Sequence, residues 1–378
     1  MRILPLALSG LLVACSGGVP RYTSQDLALL PCEAGASPIF FQPIEFRADG
    51  QLAYGQEQLD RIRERLTPET SDVVLFVHGW NKNPSLAEHD FSDFLCRLHG
   101  HIREVAKERG MWGESQKGQR LLVIGAFWPS TFRANAHDPF WLKPSSYFRM
   151  RDRADTIADT GLQELLMTVA LGLRSRANLH FVGHSFGARM IVHGLRHIWA
   201  AGRLPELISR AGIVNVVLLN GALASHDFTW LLENVRKATP GVAARFSLAS
   251  ASGLYNVHSF HDSANRHLFP LASLFSPDAA ECAAGACGVP EFSTLCVDSA
   301  GYLRKPPSVE TTRQPSRTDQ LAAWNVDATR IVFDHSDIYK GRVARLVVEL
   351  LLRADRSKFT GVAQGAERPA QERCAGVE

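Results

Sequence analysis

Leu179-His180-Phe181-Val182-Gly183-His184-Ser185-Phe186-Gly187-Ala188-Arg189-Met190-Ile191-Val192 is the stretch that decides the fold. Leu179 to Val182 is a short, mainly apolar run of strand character. From Ala188 onward the period changes, and Ala188, Ile191, Val192, Leu195 and Ile198 fall on one face of a helix. Between them stands Gly183-x-Ser185-x-Gly187, which turns the chain sharply from strand into helix. Glycine at both flanks lets neighbouring backbone approach closely, and such a turn leaves the serine hydroxyl presented to a reactant. It also aims the positive end of a helix dipole at that hydroxyl, where negative charge is favoured. Ser185 is therefore the candidate nucleophile.

The same alternation extends in both directions. Residues 39–46 read as a first strand, and Leu59, Ile62 and Leu66 keep helical spacing. Val73-Val74-Leu75-Phe76-Val77 is a continuous apolar run, as expected of a strand covered on both faces, and it leads straight into His78-Gly79-Trp80. Ala87, Phe91, Phe94, Leu95, Leu98 and Ile102 form a helical face, and residues 121–127 form the next strand. Residues 129–150 are dense in aromatics without a clear period and read as a long loop, whose apolar side chains would suit an acyl pocket. Ile157, Leu162, Leu165, Leu166, Val169 and Leu173 restore the helical period. Further strands are expected at 213–219, 254–260 and 330–333, and a closing helix at 343–352. Strand and helix alternating in this way predict an α/β fold with a doubly wound, mostly parallel sheet. Across residues 265–329 the pattern fails. That segment, with three cysteines and a polar run from Lys305 to Gln320, reads as an insertion or lid before the last strand.

Three stretches carry a more specific resemblance: Phe76-Val77-His78-Gly79-Trp80-Asn81, Phe127-Trp128-Pro129-Ser130, and Gly183-His184-Ser185-Phe186-Gly187. Together they are similar to a largely uncharacterised bacterial group of α/β hydrolases, over about residues 70 to 340. The resemblance implies the α/β-hydrolase fold and serine-hydrolase catalysis but not a substrate; cleavage of carboxylic esters through an acyl-enzyme is the expected reaction. It also implies an oxyanion hole from the backbone amides of Trp80 and Phe186, and a structural role for His78. In that fold the catalytic order is serine, then acid, then histidine. His335, in Asp334-His335-Ser336-Asp337, comes well after the nucleophile and is the candidate base. Asp262, just beyond the strand at 254–260, is the candidate acid, and Asp227, soon after the strand at 213–219, is the alternative. His267 follows the favoured acid too closely for a strand to separate them. No metal or organic cofactor is implied, and the substrate would be a small-molecule or lipid ester. An envelope lipase or acyltransferase, and a non-catalytic binding module on the same fold, are the rival readings.

The N-terminus adds an address. Arg2 precedes a short apolar run at 3–13, too short to span a bilayer and suited to a signal peptide covering residues 1–14. It ends in Leu12-Val13-Ala14-Cys15, which resembles the bacterial lipobox, so Cys15 would be acylated and tie the protein to a membrane. Ser16, rather than Asp, after that cysteine points to the periplasmic face of the outer membrane. Residues 15–38 then read as a tether, 39–355 as the hydrolase domain and 356–378 as a polar tail. The other cysteines are Cys32, Cys96, Cys282, Cys287, Cys296 and Cys374, an even number that in an exported chain predicts disulfides, at least one of them using Cys282, Cys287 or Cys296. A net charge of +3 in 378 residues argues against a nucleic-acid partner. Nothing in the sequence sets an oligomeric state.

Overall fold

The central strands are buried almost continuously, so the sheet must be covered on both faces. The computed structural model describes residues 28–30, 39–79, 84–108, 120–130, 143–174, 177–237, 252–273, 282–290, 292–304, 323–352 and 374. Its strands are β1 (Ala28–Leu30), β2 (Ile39–Glu45), β3 (Thr70–Val77), β4 (Arg120–Phe127) and β5 (Asn178–His184), then β6 (Val214–Leu219), β7 (Gly253–His258), β8 (Ser293–Val297), β9 (Leu303–Arg304) and β10 (Ala323–Asp327). Among the described residues they make one sheet in the order β1-β2-β4-β3-β5-β6-β7-β10-β8-β9. Only β1 with β2 and β8 with β9 run antiparallel; every other neighbouring pair is parallel.

Two separate cores follow, because successive side chains of a strand point to opposite faces. Val73, Leu75 and Val77 of β3 join Leu179 and Phe181 of β5 on one face, against helices α1 (Gln56–Arg65), α4 (Gln163–Gly172), α5 (Phe186–Ala200) and α6 (Leu204–Arg210). Val74, Phe76 and Val182 point to the other face. There they meet α2 (Pro84–Glu108) and a closing helix, Gly341–Leu352. Each large side chain buried in this way contributes about 1.5–3 kcal/mol. The remaining long helices are α3 (Lys143–Ile157), which runs through a π-helical turn at Ala158–Leu162 into α4, and α7 (Ser225–Lys237).

The architecture is thus α/β with a mostly parallel, doubly covered sheet, as the alternation predicts. Four local expectations change. Residues 143–150, expected in a loop, begin α3, whose charged residues blur the apolar period. Residues 330–333 are not a strand: Ile331 and Val332 donate backbone hydrogen bonds to Ala328 in a turn and bury there in the second core. The strand before His335 is β10. The segment 265–329 is no mere insertion beside the sheet, because it supplies β8, β9 and β10, with β10 seated directly against β7. Within the expected tether, Ala28–Leu30 forms the edge strand β1.

Cys282 is bonded to Cys287 and Cys296 to Cys374, so the expected disulfides exist and the second ties Cys374 to β8. The expected signal peptide (1–14), Cys15, most of the tether, Trp80 and the tail apart from Cys374 lie outside the described residues. Among the described residues no helix is long and apolar enough to cross a membrane.

Candidate active site

β5 ends at His184, and α5 begins at Phe186, leaving Ser185 alone at the turn. Its backbone takes φ 55° and ψ −119°, a conformation that costs a non-glycine residue about 1–3 kcal/mol and persists only where the surroundings enforce it. Here they do. The Ser185 N–H donates to Leu219 O at 3.0 Å, and its carbonyl accepts from Ala188, Arg189 and Ala222. Both flanking glycines are required by close approach. A Cβ on Gly183 would stand 2.7 Å from the Ala188 backbone, and one on Gly187 only 2.1 Å from Val77 O.

His335 reaches this serine from the loop between β10 and the closing helix. Its Nε2 lies 2.7 Å from Ser185 Oγ, and its Nδ1 lies 2.9 and 2.8 Å from the two carboxylate oxygens of Asp262. Because a carboxylate can only accept, Nδ1 carries the proton, and Nε2 is the acceptor facing the hydroxyl. Asp262 is fully buried, and the His335 side chain is 14% exposed. Side chains stitch the two loops together: Ser259 Oγ donates to Val332 O at 2.6 Å, and Thr329 Oγ1 accepts the Phe260 N–H at 3.2 Å.

Burial opposes a charged imidazole here. The charge of Asp262 and its hydrogen bond outweigh that, and Asp334 adds to them, so His335 holds its proton above the ordinary histidine value. A base must be neutral to act. The acid limb of kcat/KM is therefore expected above about pH 6.5, the unperturbed histidine value. The same raised value means that this group's contribution to folding stability is complete below about pH 6.5 and is lost as the pH rises through it. A pH–rate profile on a soluble ester checks the first statement, and a limb at or below that value contradicts it.

His78 does not join this group. Its Nδ1–H donates to Gly79 O at 2.8 Å, its Nε2 accepts the Trp128 N–H at 3.1 Å, and its ring stacks on the Trp128 indole. The Trp128 indole N–H returns to His78 O at 2.9 Å. The His-Gly-Trp and Trp-Pro-Ser stretches thus lock together where β3 and β4 end, and His78 has the structural role that the resemblance implies.

Asp227, the alternative acid, lies away from this group. It sits in the first turn of α7, where its Oδ2 accepts the Ala224 N–H at 3.2 Å, half of a capping box. Its Oδ1 faces His193, Arg196 and His226 at 3.8 to 4.0 Å, not His335. Burial, aided by Arg189, holds His193 below its ordinary value.

Three further residues complete the surroundings, of which only His184 lies in a stretch singled out in the sequence. His184 Nε2–H donates to His335 O at 2.9 Å, and Asn220 Nδ2 donates to the same carbonyl at 3.3 Å. Asn265, buried, donates both its backbone and its side-chain N–H to Asp262. For the two asparagines, the one cue is that Asn220 is a polar residue directly after the buried strand β6. Phe186 opens α5 next to the nucleophile; Trp80, the other expected amide donor, is not described. Among the described residues no cluster of His, Cys, Asp or Glu is arranged to hold a metal ion. No protein-family model matches the chain, and no curated protein is significantly similar to it.

Proposed function

We propose that this chain is a serine hydrolase of the α/β-hydrolase type that cleaves carboxylic esters through an acyl-enzyme. The observation that carries this reading is the unbroken relay from Ser185 Oγ through His335 to the buried Asp262. Ser185 Oγ attacks the ester carbonyl carbon as its proton passes to His335 Nε2. The resulting oxyanion faces the N-terminus of α5, with the Phe186 amide, and by resemblance that of Trp80, as donors. The carbon–oxygen bond to the alcohol breaks, and the alcohol leaves with the proton from Nε2. Water then repeats the sequence on the acyl-enzyme: it gives a proton to Nε2, attacks the acyl carbon, and releases the acid as Ser185 regains its proton. Asp262 holds the tautomer and balances the imidazolium throughout.

A lipid ester, hydrolysed or used as acyl donor in the envelope, is the second reading. Phe333, close before His335 in the chain, is 57% exposed and stacks on His261, the neighbour of Asp262. Acylation of Cys15, argued from its lipobox resemblance, would hold such an enzyme at the membrane where lipid substrate resides. The purified protein, treated with a fluorophosphonate probe and digested, is expected to carry the label on the peptide containing Ser185 alone. Esters graded by acyl length then separate the two readings. A chain that takes no label is a binding module and not an enzyme.

A further inference from the structure

The Asp262–His335 pair does not stand alone, and its surroundings close on themselves. Asn265 gives its backbone N–H to Asp262 Oδ1 at 3.0 Å and its side-chain Nδ2 to Asp262 Oδ2 at 2.8 Å. The same Nδ2 reaches Asn220 O at 2.7 Å. Asn220 in turn gives its own Nδ2 to His335 O, and His335 gives its Nδ1–H back to Asp262. We propose that Asn220 and Asn265 are positioning residues whose amides close this hydrogen-bonded ring and so hold the carboxylate squarely on the imidazole. The proposal rests on the serine-hydrolase reading for its effect on turnover, but not for its effect on the histidine.

The chemistry of the ring explains the residue types. A carboxylate's terminal torsion is soft, so an acid fixed from one side only would swing between orientations. Asn265 occupies one lone pair on each oxygen, leaving the others directed at Nδ1, which accounts for two nearly equal contacts of 2.9 and 2.8 Å. An aspartate in place of Asn265 would set a second negative charge against Asp262, whereas the amide supplies only donors there. Asn220 has φ +46°, a left-handed conformation that asparagine tolerates better than most residues, and this turns its carbonyl to Asn265 and its side chain to His335.

The ring is braced from outside by the short helical turn Ala284–Cys287, which the Cys282–Cys287 bond closes. Ala283 N–H donates to Asn265 O at 3.3 Å, and Gly285 N–H donates to Gly221 O at 3.1 Å. A Cβ on Gly285 would come within 2.3 Å of the backbone between Asn220 and Gly221, so the turn lies flush on the ring.

The titrating and charged groups that face the pair are few among the described residues. Asp262 lies in the loop after β7, Asp334 in His335's own loop, His184 at the end of β5 with its ring 4.9 Å from that of His335, and Tyr147 of α3 within electrostatic reach of Asp262. Asp262 is the main group that raises His335 against the effect of burial. If the ring positions it, loosening the ring must let burial win, and the imidazole must lose its proton at lower pH.

The experiment is an NMR titration of the His335 imidazole in full-length protein, run beside hydrolysis of p-nitrophenyl acetate. Asn265→Leu keeps the backbone N–H and removes the side-chain donors. It is expected to move the titration to lower pH and to reduce kcat by up to about 100-fold with KM nearly unchanged. Asn220→Gly suits the positive φ, keeps the carbonyl that Asn265 uses, and is expected to shift the titration in the same direction by less. It also carries the test if Asn265→Leu does not fold. A titration that is unchanged in the folded variants, or that moves to higher pH because Asp262 has merely become more basic, overturns the positioning role. A wild-type protein inert to both ester and fluorophosphonate would sink the hydrolase reading instead, and the titration would still decide this one.

Discussion

Ser185→Ala is expected to reduce ester turnover about a million-fold and to abolish fluorophosphonate labelling, because no second group in the relay can form the acyl bond. Loss of the nucleophile in a cooperating triad costs nearly as much as loss of the whole triad. The fold should survive. The hydroxyl makes one hydrogen bond of 2.7 Å to His335, a contact worth about 1 kcal/mol net, and the alanine inherits the same enforced backbone. Calorimetry and labelling on one preparation check both halves. A variant that still takes the label with an intact melting transition would move the nucleophile elsewhere.

Asp262→Asn should be nearly as damaging, at about ten thousand-fold in kcat, because an amide no longer enforces the Nδ1–H tautomer. The buried surroundings add a second cost. Three donor groups converge on this carboxylate: the Asn265 backbone N–H, the Asn265 side chain and His335 Nδ1. An amide has one acceptor oxygen and brings N–H groups of its own, so at least one donor pair is set against another. A stability loss of about 1–3 kcal/mol is therefore expected alongside the kinetic one. Asp227→Asn retains an oxygen for the Ala224 N–H and should leave most activity in place. Parallel kinetics and thermal melts of the two variants decide the matter, and the reverse pattern would restore Asp227 as the acid.

The candidate nucleophile could be picked out from the sequence because the features that mark it are local. A strand, a turn with two glycines and a helix must follow one another, and each has a recognisable period or residue type. The candidate acid and base could be picked out from chain order, since Asp262 lies just past a buried strand and His335 late in the chain, and the fold brings both to Ser185. What could not be read depends on neighbours that only the folded chain supplies. Ser293–Val297 and Ala323–Asp327 mix serine, threonine, asparagine and aspartate with apolar residues, so no continuous run marks them as interior strands. Asn325 of β10 is kept there by Asn256 of β7, which donates to its Oδ1 at 3.0 Å. Arg330 to Phe333 has the opposite character: Ile331 and Val332 are apolar because a turn presses them into the core, and the period alone does not distinguish that from a strand. Asn265 carries no pattern and Asn220 only its place after β6, because what sets them apart is their hydrogen-bond partners at the sheet's end.

The proposed base, His335, lies 150 positions after the proposed nucleophile, Ser185, and immediately ahead of the closing helix, which crosses to α2 and reaches it through Arg345 and Glu104 at 3.6 Å. During biosynthesis, a growing chain therefore acquires serine and carboxylate before it acquires the imidazole that would link them in the proposed relay. The loop carrying His335 is also held at its far end by a helix that must dock on the opposite side of the sheet. If the proposed relay is correct, reactivity requires that helix to be docked. Fragments and half-assembled intermediates would be chemically silent, and the appearance of labelling with time during refolding would clock the docking of that final helix.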